Sequence, residues 1–92
     1  MIVHKKIRVS GRVQGVFFRA SAADVATSLG LKGFVLNEDT GSVYIEVEGD
    51  EGDVKRLIEW AKQGPPRAKV ESVDVTDGAI LGFKEFEVKR IK

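Results

Sequence analysis

The chain has no cysteine, a single histidine and only two prolines among its 92 residues. Without cysteine there is no disulfide, no thiolate nucleophile and no thiolate metal site, a usage that fits the cytosol. With His4 alone, neither a Ser-His-Asp triad nor a histidine metal cage can be assembled. Its place ahead of the first predicted strand makes His4 a surface residue. Gly-x-x-x-x-Gly-Lys-Ser/Thr and Gly-x-Gly-x-x-Gly are both missing, which argues against the nucleotide loops they build. No apolar run approaches the ~18 to 20 residues of a membrane span, and no charged segment followed by an apolar stretch opens the chain. A soluble, unprocessed cytoplasmic protein is expected. Excess charge of either sign is also lacking: 15 basic and 14 acidic residues leave a net charge of +1. No long-range field then recruits nucleic acid or a membrane surface, so any anion affinity must be local.

What the chain does have is 42% hydrophobic content in a length that suits one domain, residues 1–92. A chain of this size buries only about 60 to 68% of its unfolded surface. Ile7, Val9 and Val13 alternate with Lys6, Arg8 and Arg12, which predicts a first strand over Lys5 to Val13. Phe18, Ala22, Val25, Ala26 and Leu29 recur at helical spacing, and Gly30 suits the left-handed cap that stops a helix. Lys32 to Leu36 reads as a second strand, Asn37 to Gly41 as a turn, and Val43, Ile45 and Val47 as a third strand closing a hairpin. Asp50 is placed to cap a second helix with Val54, Leu57, Ile58 and Ala61 on its apolar face, ended by Gly64, Pro65 and Pro66. Val73 and Val75 mark a fourth strand, and Phe86 and Val88 a fifth. This order predicts an α+β, ferredoxin-like split βαβ sandwich (βαββαβ), an antiparallel sheet with both helices on one face.

Between the first strand and the first helix lies Gln14-Gly15-Val16-Phe17-Phe18-Arg19. Free N–H groups at a helix start, and the positive end of its dipole, attract phosphate or carboxylate. Gly15 lets backbone approach a ligand closely, and the Arg19 guanidinium can grip two phosphate oxygens at once. Taken alone, these residues fit a plain turn, a core Phe18 and a surface Arg19 as well as they fit an anion seat. Asn37 alone is equally at home as a strand-end turn residue. Gly30-Leu31-Lys32-Gly33 matches the short glycine pattern of RNA-clamping KH loops, but reads better as a helix cap entering a strand. The same topology houses RNA-recognition modules. Strand 3 offers only Tyr44 and strand 1 offers Arg8, Ser10 and Arg12, so a stacking platform is not expected, and Lys89, Arg90 and Lys92 read as a solvated end.

Gly11-x-Val13-Gln14-Gly15-Val16-x-Phe18-Arg19 resembles a signature of the acylphosphatases, small hydrolases of carboxyl-phosphate anhydrides. Gly33-Phe34-Val35-Leu36-Asn37, followed by Gly41, Val43 and Gly49, resembles the family's second signature. Leu36 departs from it, standing where the family more often has a basic or other long side chain. The resemblance implies hydrolysis of an acyl phosphate to carboxylate and inorganic phosphate. It further implies that Gln14, Gly15, Val16, Phe17, Phe18 and Arg19 bind the phosphoryl group, with Arg19 and Asn37 catalytic, Asn37 orienting the attacking water. A carboxylate leaving group with a pKa of about 4 needs no general acid, so neither metal nor organic cofactor is expected. The expected partner is a small acyl phosphate, with no nucleic acid or membrane, and the expected state a monomer. A binding module for acyl or carbamoyl phosphate, of the kind found within larger carbamoyl-transfer proteins, is the alternative. A chain ending at Lys92 without a following cysteine-rich segment favours the free-standing enzyme.

Overall fold

The alternation around Ile7 and Val9 folds as a long strand, the first of seven elements in a computed structural model that describes residues 1–90. In chain order these are β1 (Ile2–Arg12), α1 (Phe18–Ser28), β2 (Lys32–Asn37), β3 (Val43–Asp50), α2 (Glu51–Gln63), β4 (Lys69–Asp77) and β5 (Phe86–Val88). The sheet order is β4-β1-β3-β2-β5, with β3 inserted between β1 and β2, and β1 between β3 and β4. That interleaving is the split βαβ arrangement. Phe18, Ala22 and Ala26 of α1 and Val54, Leu57 and Ala61 of α2 are buried with Ile7, Val9, Val35, Ile45 and Val47 of the sheet. The helices meet where the Phe18 and Trp60 rings pack at 5.1 Å. Asp50 caps α2 as expected, accepting from the Gly52 N–H at 3.1 Å. Gly30 takes a positive φ of 72° after α1. Among the described residues no helix is long and apolar enough to cross a membrane.

The sheet departs from the expected wholly antiparallel form at one edge. β1, β3, β2 and β4 pair antiparallel, but β5 runs parallel to β2, with Gly33 opposite Phe86 and Val35 opposite Val88. The cause is where β4 leaves the chain. β4 ends beside Lys5, the Gly78 N–H binds the His4 carbonyl, and the segment 78–85 crosses to the start of β2, where Glu85 O receives the Gly33 N–H. A strand entering from that end must run with β1 and β2.

His4 is corrected by the same path. It lies inside β1, 2% exposed, not on the surface. Its Nδ1 meets Glu48 Oε2 at 2.6 Å, its Nε2 meets Glu46 Oε1 at 2.8 Å, and the Phe83 ring stacks on it. The open face also carries more rings than strand 3 alone suggested, since Phe34 packs against both Tyr44 and Phe83. Phe83 comes from the crossing segment, and Lys89 Nζ sits 4.5 Å from the Phe34 ring, so these rings are occupied by the protein itself.

Glu48 clamps that segment, accepting from the backbone N–H groups of Leu81 (2.5 Å), Gly82 (3.0 Å) and Phe83 (3.1 Å). Burial works to raise its pKa, but the Leu81, Phe83 and Gly82 N–H groups and His4 together outweigh burial and hold it below the ordinary carboxylate value. A depressed folded-state pKa gives stability that is present above the unfolded value of about 4.3 and is lost as pH falls through the folded value. Glu48→Gln is therefore expected to lower Tm at pH 7, with the gap to the wild type closing as pH is taken from 5 to 3. Thermal melts across that range check it, and a gap that stays constant with pH would refute the clamp's charge dependence.

Candidate active site

Because β1, β2 and β5 all point the same way, their carboxyl ends lie together at one end of the sheet. The loop after β1, Asn37 at the end of β2 and the residues after β5 thereby converge. His4 sits at the other end of β1, about 26 Å from Arg12 at ~3.3 Å per strand residue.

The turn into the loop depends on Gly11. Its φ is 122°, the β1–β4 register shifts between Ser10 and Gly11, and a Cβ there would come 2.3 Å from the Lys69 carbonyl oxygen. Beyond it, Val13 and Val16 are anchored in the core, while Gly15 and Phe17 both take positive φ, 74° and 65°. Phe17 is the only non-glycine residue with positive φ among the described residues, and it is the N-cap of α1. That backbone state is costly for a residue with a Cβ, and such strain gathers at functional loops.

The two helix starts differ in kind. α2 has its Asp50 cap, with Glu51 and Asp53 in the first turn, all favourable against the positive end of its dipole. α1 has no side-chain cap and no acidic residue there, and carries Arg19 instead. Among the described residues the first backbone bond at this start is from the Ser21 N–H to the Phe17 carbonyl at 3.0 Å. N–H groups preceding Ser21 are left unspent, and a cation is added to an already positive end. Such an arrangement is unfavourable until an anion arrives.

Arg19 and Asn37 line a cleft of ≈ 380 Å³ together with Gly15, Phe17, Phe18 and Val88. Among the described residues Arg19 has no carboxylate partner, and its one contact is a long 3.5 Å bond from Nη1 to the Lys89 carbonyl. Asn37 Oδ1 is buried with no hydrogen-bond partner among the described residues. A buried acceptor left unpaired costs about 1–3 kcal/mol, so it calls for a water or substrate donor. A second hollow beside the first is lined by Gln14, Glu38, Asp39 and again Arg19 and Asn37. Glu38 does not oppose an anion there with a free charge. Its two carboxylate oxygens accept from Arg8 Nε (2.7 Å) and Nη2 (2.9 Å), and this hydrogen-bonded guanidinium holds its pKa below the usual value.

Gly15, Phe17, Phe18, Arg19 and Asn37, drawn from the two sequence motifs, thus line one cleft. Val16 is turned into the core and lines neither hollow. Gln14 has a different use: its Nε2 donates to the carbonyls of Glu38 (2.8 Å) and Ser42 (3.0 Å). The side chain fastens the loop to the β2–β3 turn and so sets Arg19 against Asn37. Arg90, read from sequence as part of a solvated end, lines both hollows. Nothing local could have found it, because the parallel course of β5 brings it there. Lys92 lies outside the described residues.

A family model described as acylphosphatase matches residues 5–88. A curated acylphosphatase of Thermotoga maritima is 48% identical over 84 residues, covering 91% of this chain and 93% of that protein. The structure of an acylphosphatase from Coxiella burnetii superposes with a TM-score of 0.93 at 35% identity, over 96% of this chain and 93% of that one. Full-length HypF in the phosphate- and nucleotide-bound form matches with a TM-score of 0.90 at 33% identity over 97% of this chain, but the match spans 12% of HypF. With both motifs gathered at one cleft and relatives of matching length, this chain belongs to the acylphosphatase family.

Proposed function

We propose that the acylphosphatase activity of this chain resides in the Arg19–Asn37 cleft, within one domain spanning residues 1–92. The observation that carries the reading is that, among the described residues, the buried Asn37 Oδ1 has no hydrogen-bond partner and lies beside a guanidinium without a carboxylate partner. The N–H groups of the Gly15 to Arg19 loop and the Arg19 fork hold the phosphoryl oxygens. Asn37 Oδ1 accepts from a water, turning its lone pair toward phosphorus. As the water oxygen bonds to phosphorus, the bond to the acyl oxygen breaks and its electron pair leaves on the carboxylate. The water's proton passes to a phosphate oxygen. Catalysis is then positioning, with charge stabilised by donors already in place.

The relatives of matching length favour a free-standing enzyme over a binding module. We read it as a monomer acting in the cytoplasm on a small acyl phosphate, and the net charge of +1 supports the absence of nucleic-acid or membrane partners. Steady-state hydrolysis of benzoyl phosphate tests the whole reading. Turnover no faster than in buffer, with phosphate still bound, would favour the binding module.

The pH profile gives a second check. Asn37 has no ionisable group and the single histidine, His4, lies at the far end of β1, so no histidine serves the reaction. The expected result is a kcat that is flat from mildly acidic to neutral pH, unaffected by chelators. His4→Gln should keep the same profile even where its stability is reduced. A bend near pH ~6.5 that His4→Gln removes would reveal a general acid or base and refute this mechanism.

A further inference from the structure

We infer that the Phe17 ring is the wall on which the substrate's acyl group lies, so that this enzyme selects acyl phosphates with an aromatic or bulky apolar acyl group over short ones. The inference rests on the Arg19–Asn37 cleft being the acyl phosphate site. Phe17 and Phe18 are neighbours with opposite fates: Phe18 is 1% exposed in the core, whereas Phe17 is 75% exposed. The Phe17 ring therefore adds little to the core, and its backbone sits at a φ of 65° that residues with a Cβ avoid. An exposed ring on a strained backbone at the mouth of a cleft is better explained by a ligand than by folding. Val88, also exposed, lines the same cleft.

The chemistry of the surrounding walls fixes the direction of the acyl group. Arg19, Asn37 and Arg90 are shared by the two hollows, so the phosphoryl group belongs where those residues meet. From there a substituent has two ways out. One passes the amide of Gln14, the Arg8-paired carboxylate of Glu38 and the carboxylate of Asp39, a polar wall that disfavours an apolar group. The other passes Phe17, Ala20 and Val88, which offer apolar area and an aromatic face. An aryl group placed there gains area burial and an offset or edge-on ring contact, neither of which acetyl can match.

The experiment compares kcat/KM for benzoyl and acetyl phosphate in the wild type, Phe17→Gly and Phe17→Leu. Glycine tolerates φ 65° and removes the ring, whereas leucine keeps apolar bulk without aromaticity. The ratio of benzoyl to acetyl kcat/KM cancels any loss common to both substrates through loop disorder. It is expected to fall about fivefold or more in Phe17→Gly, mainly through KM for benzoyl phosphate, and by a smaller factor in Phe17→Leu. A ratio unchanged in both variants would overturn the inference, even if both rates drop together. A wild type that hydrolyses neither substrate would instead overturn the acylphosphatase reading of the cleft, a distinct outcome.

Discussion

Arg19→Ala is expected to reduce kcat/KM for acyl phosphates by on the order of 10³-fold or more, with inhibition by inorganic phosphate weakening in parallel. The guanidinium is the positive side chain at the head of α1, and in the proposed mechanism it holds phosphoryl oxygens in the bound substrate as well as in the transition state. Both constants should therefore suffer. Arg19→Lys should restore little, because a point charge cannot reproduce two parallel donors. The fold should be indifferent or slightly favoured. Among the described residues Arg19's one hydrogen bond is the 3.5 Å bond to the Lys89 carbonyl, and a cation at a helix N-terminus opposes the dipole. Steady-state kinetics with phosphate as inhibitor, set beside thermal melts, check both halves. An Arg19→Ala protein with near-normal activity and phosphate inhibition would remove the anion seat altogether.

Asn37→Ala should show a different kinetic pattern: kcat lower by roughly 10²- to 10³-fold, with KM and phosphate inhibition nearly unchanged. A group that orients the attacking water acts in the transition state and contributes little to substrate binding. Stability should hold or rise, since the substitution deletes a buried acceptor that has no partner among the described residues. Loss of function without loss of stability is the expected mark of a residue kept for chemistry. Should KM rise while kcat is maintained, Asn37 is a substrate-binding residue and the water assignment fails.

Local pattern was enough for much of this molecule. The period-2 run through Ile7 and Val9, the helical spacing of Val54, Leu57 and Ala61, the Asp50 cap and the Gly30 stop each concern residues near one another in sequence, and each forms as read, although β1 begins earlier, at Ile2, and ends at Arg12 before Val13. The two motifs around Arg19 and Asn37 were legible for the same reason, because each is a short segment whose backbone creates its own chemistry. Their meeting follows from β1 and β2 lying parallel with β3 between them, which the element order already implied.

What the tertiary structure alone decided involves residues far apart in the chain. His4 reads as surface until Glu46, Glu48 and Phe83 close around it, partners more than forty positions away that no periodicity connects. The direction of β5 depends on the segment 78–85 crossing the sheet under the grip of Glu48, and that direction carries Arg90 into the cleft. Gln14 looks like a phosphate ligand in the motif, yet its amide is spent on the Glu38 and Ser42 carbonyls. The orphaned Oδ1 of Asn37 and the strained backbone of Phe17 are likewise invisible in the sequence. Residue type sets what a group can donate, accept or bury; only the packing of distant segments determines which of those capacities is already satisfied and which is left for a ligand.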